Sequence, residues 1–132
     1  MKTLLAILVS VPLVYLAVGC KPSQAAPVQT MQAYLTAFAD KDENTLISMT
    51  CKEWEDQALL EYDSFGNVTT ELKDLSCKLV GQTSNTQGET IYSVNCTGVI
   101  SASYNGELRS FDLSKRVYQV VDRGDALQVC GY

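Results

Sequence analysis

The chain has 132 residues, ten Lys and Arg against fifteen Asp and Glu, and no histidine. Its length sets one small domain, and its acidic balance without clustered Lys or Arg argues against nucleic acid and against electrostatic docking on anionic lipid. The lack of histidine removes the commonest acid–base side chain and the commonest metal ligand.

The first segment, MKTLLAILVSVPLVYLAVGC, puts Lys2 before an uncharged run from Thr3 to Gly19, with Ala17 and Gly19 just ahead of Cys20. This is the charged, apolar and small-residue order of an export signal. The run is slightly short for a spanning helix and contains Pro12. LAVGC resembles the lipobox of bacterial lipoproteins, with Ala17 standing where leucine is usual. The resemblance implies removal of residues 1–19 and diacylglycerol on the thiol of Cys20, which is the expected lipidation site. Two or more acyl chains hold a protein stably at a membrane, where one does not. Residues 20–26 then form a short polar tether, whose six residues after Cys20 reach at most about 20 Å, and residues 27–132 form the domain. Lys21 is not the aspartate that, in the resembling family of some double-membraned bacteria, retains lipoproteins in the inner membrane. The expected location is therefore a bacterial cell membrane or outer membrane, with the domain outside the cytoplasm. Losing Lys2 from the ten basic residues leaves nine against fifteen, so the anchor must be hydrophobic.

With Cys20 assigned to lipid, Cys51, Cys77, Cys96 and Cys130 remain, an even number that in an exported domain implies disulfides. None has C-x-x-C spacing, so no zinc or thioredoxin-type site is expected, and no other metal or cofactor motif appears.

Pro27 suits a first helical turn, and Val28, Met31, Tyr34, Leu35, Phe38 and Ala39 recur at helical spacing. DKDEN ends that helix, and Asp42 caps a short second one carrying Leu46, Ile47 and Met49. Thr50 to Glu53 reads as a capping box for a third helix, with Trp54, Ala58 and Tyr62 along one side and Gly66-Asn67 as its stop. From about Leu72 the period becomes two, with turn signals at Asn85–Gly88, Asn105-Gly106 and Asp122–Asp125. The expectation is four strands in a meander. A first hairpin centred on Asn85–Gly88 sets Cys77 opposite Cys96, within disulfide reach, and leaves Cys51 to pair with Cys130. The second hairpin sets Ile100 against Phe111, and the third sets Val120 against Leu127 and Tyr118 against Val129. Apolar parity flips between Leu113 and Tyr118, which predicts a bulge near Ser114 to Arg116.

Helices followed by a bent antiparallel meander resemble the nuclear transport factor 2-like (cystatin-like) cone, an α+β fold in which a curled sheet wraps a long N-terminal helix. MQAYLTAFADKDENTLISMTCKEW, LKDLSCKLVG and the closing VCGY resemble small bacterial lipoproteins of this fold without an assigned function. Those stretches carry core and disulfide positions rather than chemistry, and the fold hosts isomerases, dehydratases and binding modules alike.

Tyr34, Trp54 and Tyr62, with Phe38, line either a small-molecule pocket or the core between helices and sheet, and a domain this small needs aromatics in its core. Phenols that an acid–base mechanism would draw on are Tyr34, Tyr62, Tyr92, Tyr104 and Tyr118. Asp112 has the wrong parity for its strand's apolar face. Arg109 has the inward parity, where it would meet an anionic ligand, but the neighbouring Asn105-Gly106 turn favours an exposed rim position. The leading expectation is a membrane-tethered, non-catalytic binding or interaction domain, without a buried ionisable cluster. The alternative is a small enzyme or carrier, which requires an open cavity of a few hundred Å³ with a perturbed Tyr, Asp or Glu inside it. A freely secreted domain requires an unmodified Cys20.

Overall fold

A computed structural model describes residues 23–132. The signal segment, the Cys20 lipidation site and residues 20–22 of the tether lie outside the described residues. Among those described, no helix is long and apolar enough to cross a membrane.

Helix α1 (Ala25–Asp40) starts two residues before Pro27, so Ala25 and Ala26 belong to the helix rather than to the tether. Pro27 is tolerated because the first helical turn asks for no donor from its nitrogen. Met31, Tyr34, Leu35 and Phe38 form the buried stripe, with Met31 fully enclosed. Lys41 ends the helix in the left-handed conformation, its N–H donating to the carbonyls of Ala37 and Phe38. Asp42 caps α2 (Glu43–Ser48), accepting from Thr45 N at 3.1 Å and Thr45 Oγ1 at 2.6 Å.

The expected capping box does not form. Thr50 is taken up by a parallel bridge to Val129, with Cys51 N donating to Val129 O at 3.0 Å and Val129 N to Met49 O at 2.8 Å. Its hydroxyl donates back to Leu46 O, and Glu53 pairs with Arg123 instead of reaching its own helix. Strand pairing wins because buried backbone groups must be satisfied, whereas an exposed first turn can use water. Helix α3 therefore begins later, at Glu55–Ser64.

The sheet has five strands rather than four: β1 (Thr69–Ser84), β2 (Thr90–Tyr104), β3 (Glu107–Asp112), β4 (Val117–Asp122) and β5 (Leu127–Gly131). The fifth arises where the bulge was expected. Leu113–Lys115 form a 3₁₀ turn that cuts one long strand into β3 and β4. Strand β2 pairs with β1 along one edge and, along the other, with β3 at its C-terminal half and β4 at its N-terminal half. Helix α1 touches β1, β2, β4 and β5, so the antiparallel sheet curls around it.

Cys77 lies opposite Cys96, with Cα atoms 4.0 Å apart, and the two form a disulfide. A second joins Cys51 to Cys130, with Cα atoms 5.3 Å apart. Leu72 and Leu75 cannot both face inward on one regular strand. A bulge between Lys73 and Ser76, with Asp74 at φ 55°, reconciles them. Ile100 pairs with Phe111 as expected. The third hairpin is corrected by two residues: Val120 pairs with Val129 and Asp122 with Leu127, because the turn centres on Gly124-Asp125. A shift of two keeps every side chain on its face, so Val120 and Val129 are still core.

Candidate functional site

At the end of the cone that the 3₁₀ turn closes, the helices and the sheet leave a cavity of about 410 Å³, within the range of roughly 300–1,000 Å³ typical of small-molecule sites. Tyr34, Leu35 and Phe38 of α1 and Ile100 of β2 line its interior. Its wall continues through edge-to-face aromatic contacts: Phe38 on Phe65 at 5.3 Å, Phe65 on Phe111 at 5.0 Å, and Tyr132 against Trp54 at 5.4 Å and Tyr118 at 5.9 Å. Such pairs contribute about 0.5–1.5 kcal/mol each beyond burial and fix ring orientation. Trp54 sits above Gly131, where an added Cβ would meet the indole at 3.6 Å.

One rim is polar. Glu61 on α3 accepts from Arg116 Nη1 at 3.1 Å through Oε2, and through Oε1 from Gln57 Nε2 at 3.3 Å and from the Tyr132 hydroxyl. The Arg116 guanidinium lies over the Tyr132 ring, with Cζ 3.9 Å from its centroid, a cation–π contact. The turn carrying Lys115 and Arg116 is held at three points. Asp112 accepts from Ser114 N at 2.9 Å and Ser114 Oγ at 2.6 Å. Across the strand pair, Asn95 Nδ2 donates to Arg116 O at 2.8 Å.

Burial pushes the Tyr34 phenol well above its ordinary 10.0, with the Glu61 charge adding to it and hydrogen bonds with Trp54 and Thr50 opposing it. Burial also raises Tyr118, although Arg116 pulls it down. The Tyr132 phenol is raised first by its hydrogen bond to Glu61 and then by burial. Burial opposes the Arg116 charge, but Glu61, Tyr132 and Tyr118 outweigh it, and the guanidinium is raised further. Serine 114 holds the Asp112 carboxyl below its ordinary range through side-chain and backbone hydrogen bonds, with a smaller contribution from Lys115. At neutral pH the phenols of the site are therefore neutral and Arg116, paired with Glu61, keeps its charge. Among the described residues, no three Cys, Asp or Glu side chains converge to hold a metal ion.

Of the residues singled out by sequence, Tyr34 and Trp54 line the cavity, while Tyr62 and Arg109 do not. Tyr62 donates to Lys41 O at 2.8 Å and packs edge-on against Phe38, bracing the ends of α1 and α3. Arg109 has the inward parity but stands beside the Asn105-Gly106 turn, exposed, with its guanidinium over the Tyr104 ring at 5.6 Å. Glu61, Arg116 and Tyr132 are the polar residues that sequence reasoning missed. The available signal was Glu61 itself, which falls seven residues after Trp54 on the α3 face occupied by Ala58 and Tyr62.

No family model matches the sequence, and no curated protein matches it significantly. Solved structures do. A ketosteroid isomerase-like protein from Erwinia carotovora atroseptica SCRI1043 superposes with a TM-score of 0.52 at 16% identity, over 84% of this chain and 95% of that one. A candidate polyketide cyclase from Xanthomonas campestris pv. campestris gives 0.48 at 14% identity, over 83% and 90%. The α+β cone of this chain, helices packed against a curled five-stranded antiparallel sheet, is the nuclear transport factor 2-like fold.

Proposed function

We propose that this protein is a membrane-tethered, non-catalytic domain that binds a small, largely apolar molecule in its cone cavity. The observation that carries this reading is the cavity itself: about 410 Å³ left open among Tyr34, Phe38, Trp54, Phe65 and Tyr118 in a domain small enough to need every aromatic in its core. The tether rests on the lipobox-like LAVGC and Cys20. Proton transfer of the kind an isomerase performs needs a base free to act in the cavity. Of the two carboxylates that line the cavity, Glu61 already accepts from three donors and Asp112, held below its ordinary range by Ser114, is a weak base, while Tyr34 is a neutral phenol at physiological pH. These groups orient a ligand rather than exchange protons with it.

Trp54 is the single tryptophan of the chain and lines the cavity, so its emission reports occupancy directly. The test uses the processed chain carrying Cys20→Ser, which keeps it free of lipid, titrated with the neutral fluorophore N-phenyl-1-naphthylamine. Saturable one-to-one quenching of Trp54, weakened when Leu35→Phe fills part of the cavity, is the expected result. Quenching that never saturates, or that Leu35→Phe leaves unchanged, overturns the reading.

A further inference from the structure

The donors and acceptors at the cavity rim are not evenly used. Both oxygens of Glu61 are occupied, by Gln57 and Tyr132 on one and Arg116 on the other. Asp112 turns back on its own turn, where Ser114 supplies two donors to Oδ1. Arg116 gives Glu61 a single nitrogen, Nη1, of a guanidinium that carries five N–H groups. Lys115, the next residue, also lines the cavity, and among the described residues its ammonium makes no hydrogen bond or ion pair. Among the described residues, the unused capacity at the rim is therefore mostly cationic and hydrogen-bond donating, with Asp112 Oδ2 as a free acceptor, beside an interior walled by Phe38, Phe65, Ile100 and Trp54. A cationic ligand would find only Asp112 Oδ2 free and would face the charges of Lys115 and Arg116 beside it. An anionic one would add a second acceptor to a guanidinium already fixed by Glu61 on one side and the Tyr132 ring beneath it.

Resting on the cavity reading above, we infer that the ligand is an anionic amphiphile, with its apolar body inside the cone and a single carboxylate, sulfonate or phosphate on Arg116 and Lys115. Asn95 and Asp112 are positioning residues for this contact, since they hold the turn that presents both cations. A hydrogen bond to a charged group contributes about 1.5–3 kcal/mol, which corresponds to about tenfold or more in affinity.

The test compares two probes with one ring system, N-phenyl-1-naphthylamine and its sulfonate, 1-anilinonaphthalene-8-sulfonate, on the same lipid-free processed chain. The sulfonate is expected to bind about tenfold tighter than the neutral probe. Arg116→Gln and Lys115→Gln, both at exposed side chains and checked for native near-UV circular dichroism, should each remove most of that preference, read as the ratio of the two probe affinities within each variant. Equal binding of the two probes overturns the inference and leaves the cavity reading standing. A sulfonate preference that survives both substitutions also overturns it, because the anion then sits elsewhere. Failure of both probes to bind overturns both readings. Displacement by decanoate over decanol, or by 2-naphthoate over 2-naphthol, supports the inference and separates a chain from a ring as the apolar body.

Discussion

The guanidinium of Arg116 and the hydroxyl of Tyr132 meet on one carboxylate, Glu61, while Arg116 Cζ lies over the Tyr132 ring, 3.9 Å from its centroid. The three side chains come from β5's end, α3 and the turn before β4, so the rim of the cavity also ties helix to sheet. Because Arg116 is partly exposed, the ion pair is screened, and its worth is set near the upper end of surface pairs. A double-mutant cycle of Glu61→Gln and Arg116→Gln, read by urea denaturation, should give a coupling of about 1 kcal/mol that shrinks in high salt.

Alkaline pH acts through the buried phenols. The folded-state pKa of Tyr34 and of Tyr118 lies above the ordinary 10.0, so between the two values the unfolded chain gives up protons that the folded chain keeps. Stability from these groups is fully present below about pH 10 and is lost as pH rises through the raised folded values. Denaturation midpoints measured between about pH 8 and about pH 11 should fall with pH, and Tyr34→Phe should flatten the fall.

Gly98, at φ 119° in β2, faces the β1 bulge so closely that an added Cβ would lie 2.7 Å from Lys73 O. That neighbour is backbone within a sheet and cannot swing aside. Gly98→Ala should cost about 2–3 kcal/mol, seen as a lower urea midpoint with an unchanged slope.

The disulfides close loops of different size, at sequence separations of 79 and 19. Loop entropy assigns about 4.5 kcal/mol to Cys51–Cys130 and about 3 kcal/mol to Cys77–Cys96. Replacing Cys51 and Cys130 by serine should therefore destabilise more than replacing the other pair. It should also weaken probe binding, because that disulfide fastens β5 beside Trp54 and Tyr132.

Much of the fold was legible because it depends on local period and on hairpin register. Turn residues alone placed Cys77 opposite Cys96 and Ile100 opposite Phe111. The expectation for the cysteines held although the first hairpin is not regular, since a bulge between Leu79 and Gly81 absorbs the difference between the actual turn and the assumed one. The third hairpin was misplaced because DRGD offers two centres for its turn. The two choices place the same residues on each face, so alternation cannot separate them. The third helix began late because Thr50 found a partner in β5, a contact between residues 79 apart that no capping rule contains. The site was least legible for the same reason. Arg116 and Tyr132 reach Glu61 from 55 and 71 residues away, and nothing local marks a charged pair that exists only once the sheet has curled.

Lipid tethering and ligand binding in the cone are both read in one native mass spectrum of the protein extracted from its membrane. The predicted result is a chain beginning at an acyl-modified Cys20, with both disulfides formed, carrying one small-molecule adduct that gentle activation releases and that Leu35→Phe reduces. A chain with unmodified Cys20 and no adduct, under conditions that preserve known non-covalent complexes, would contradict it.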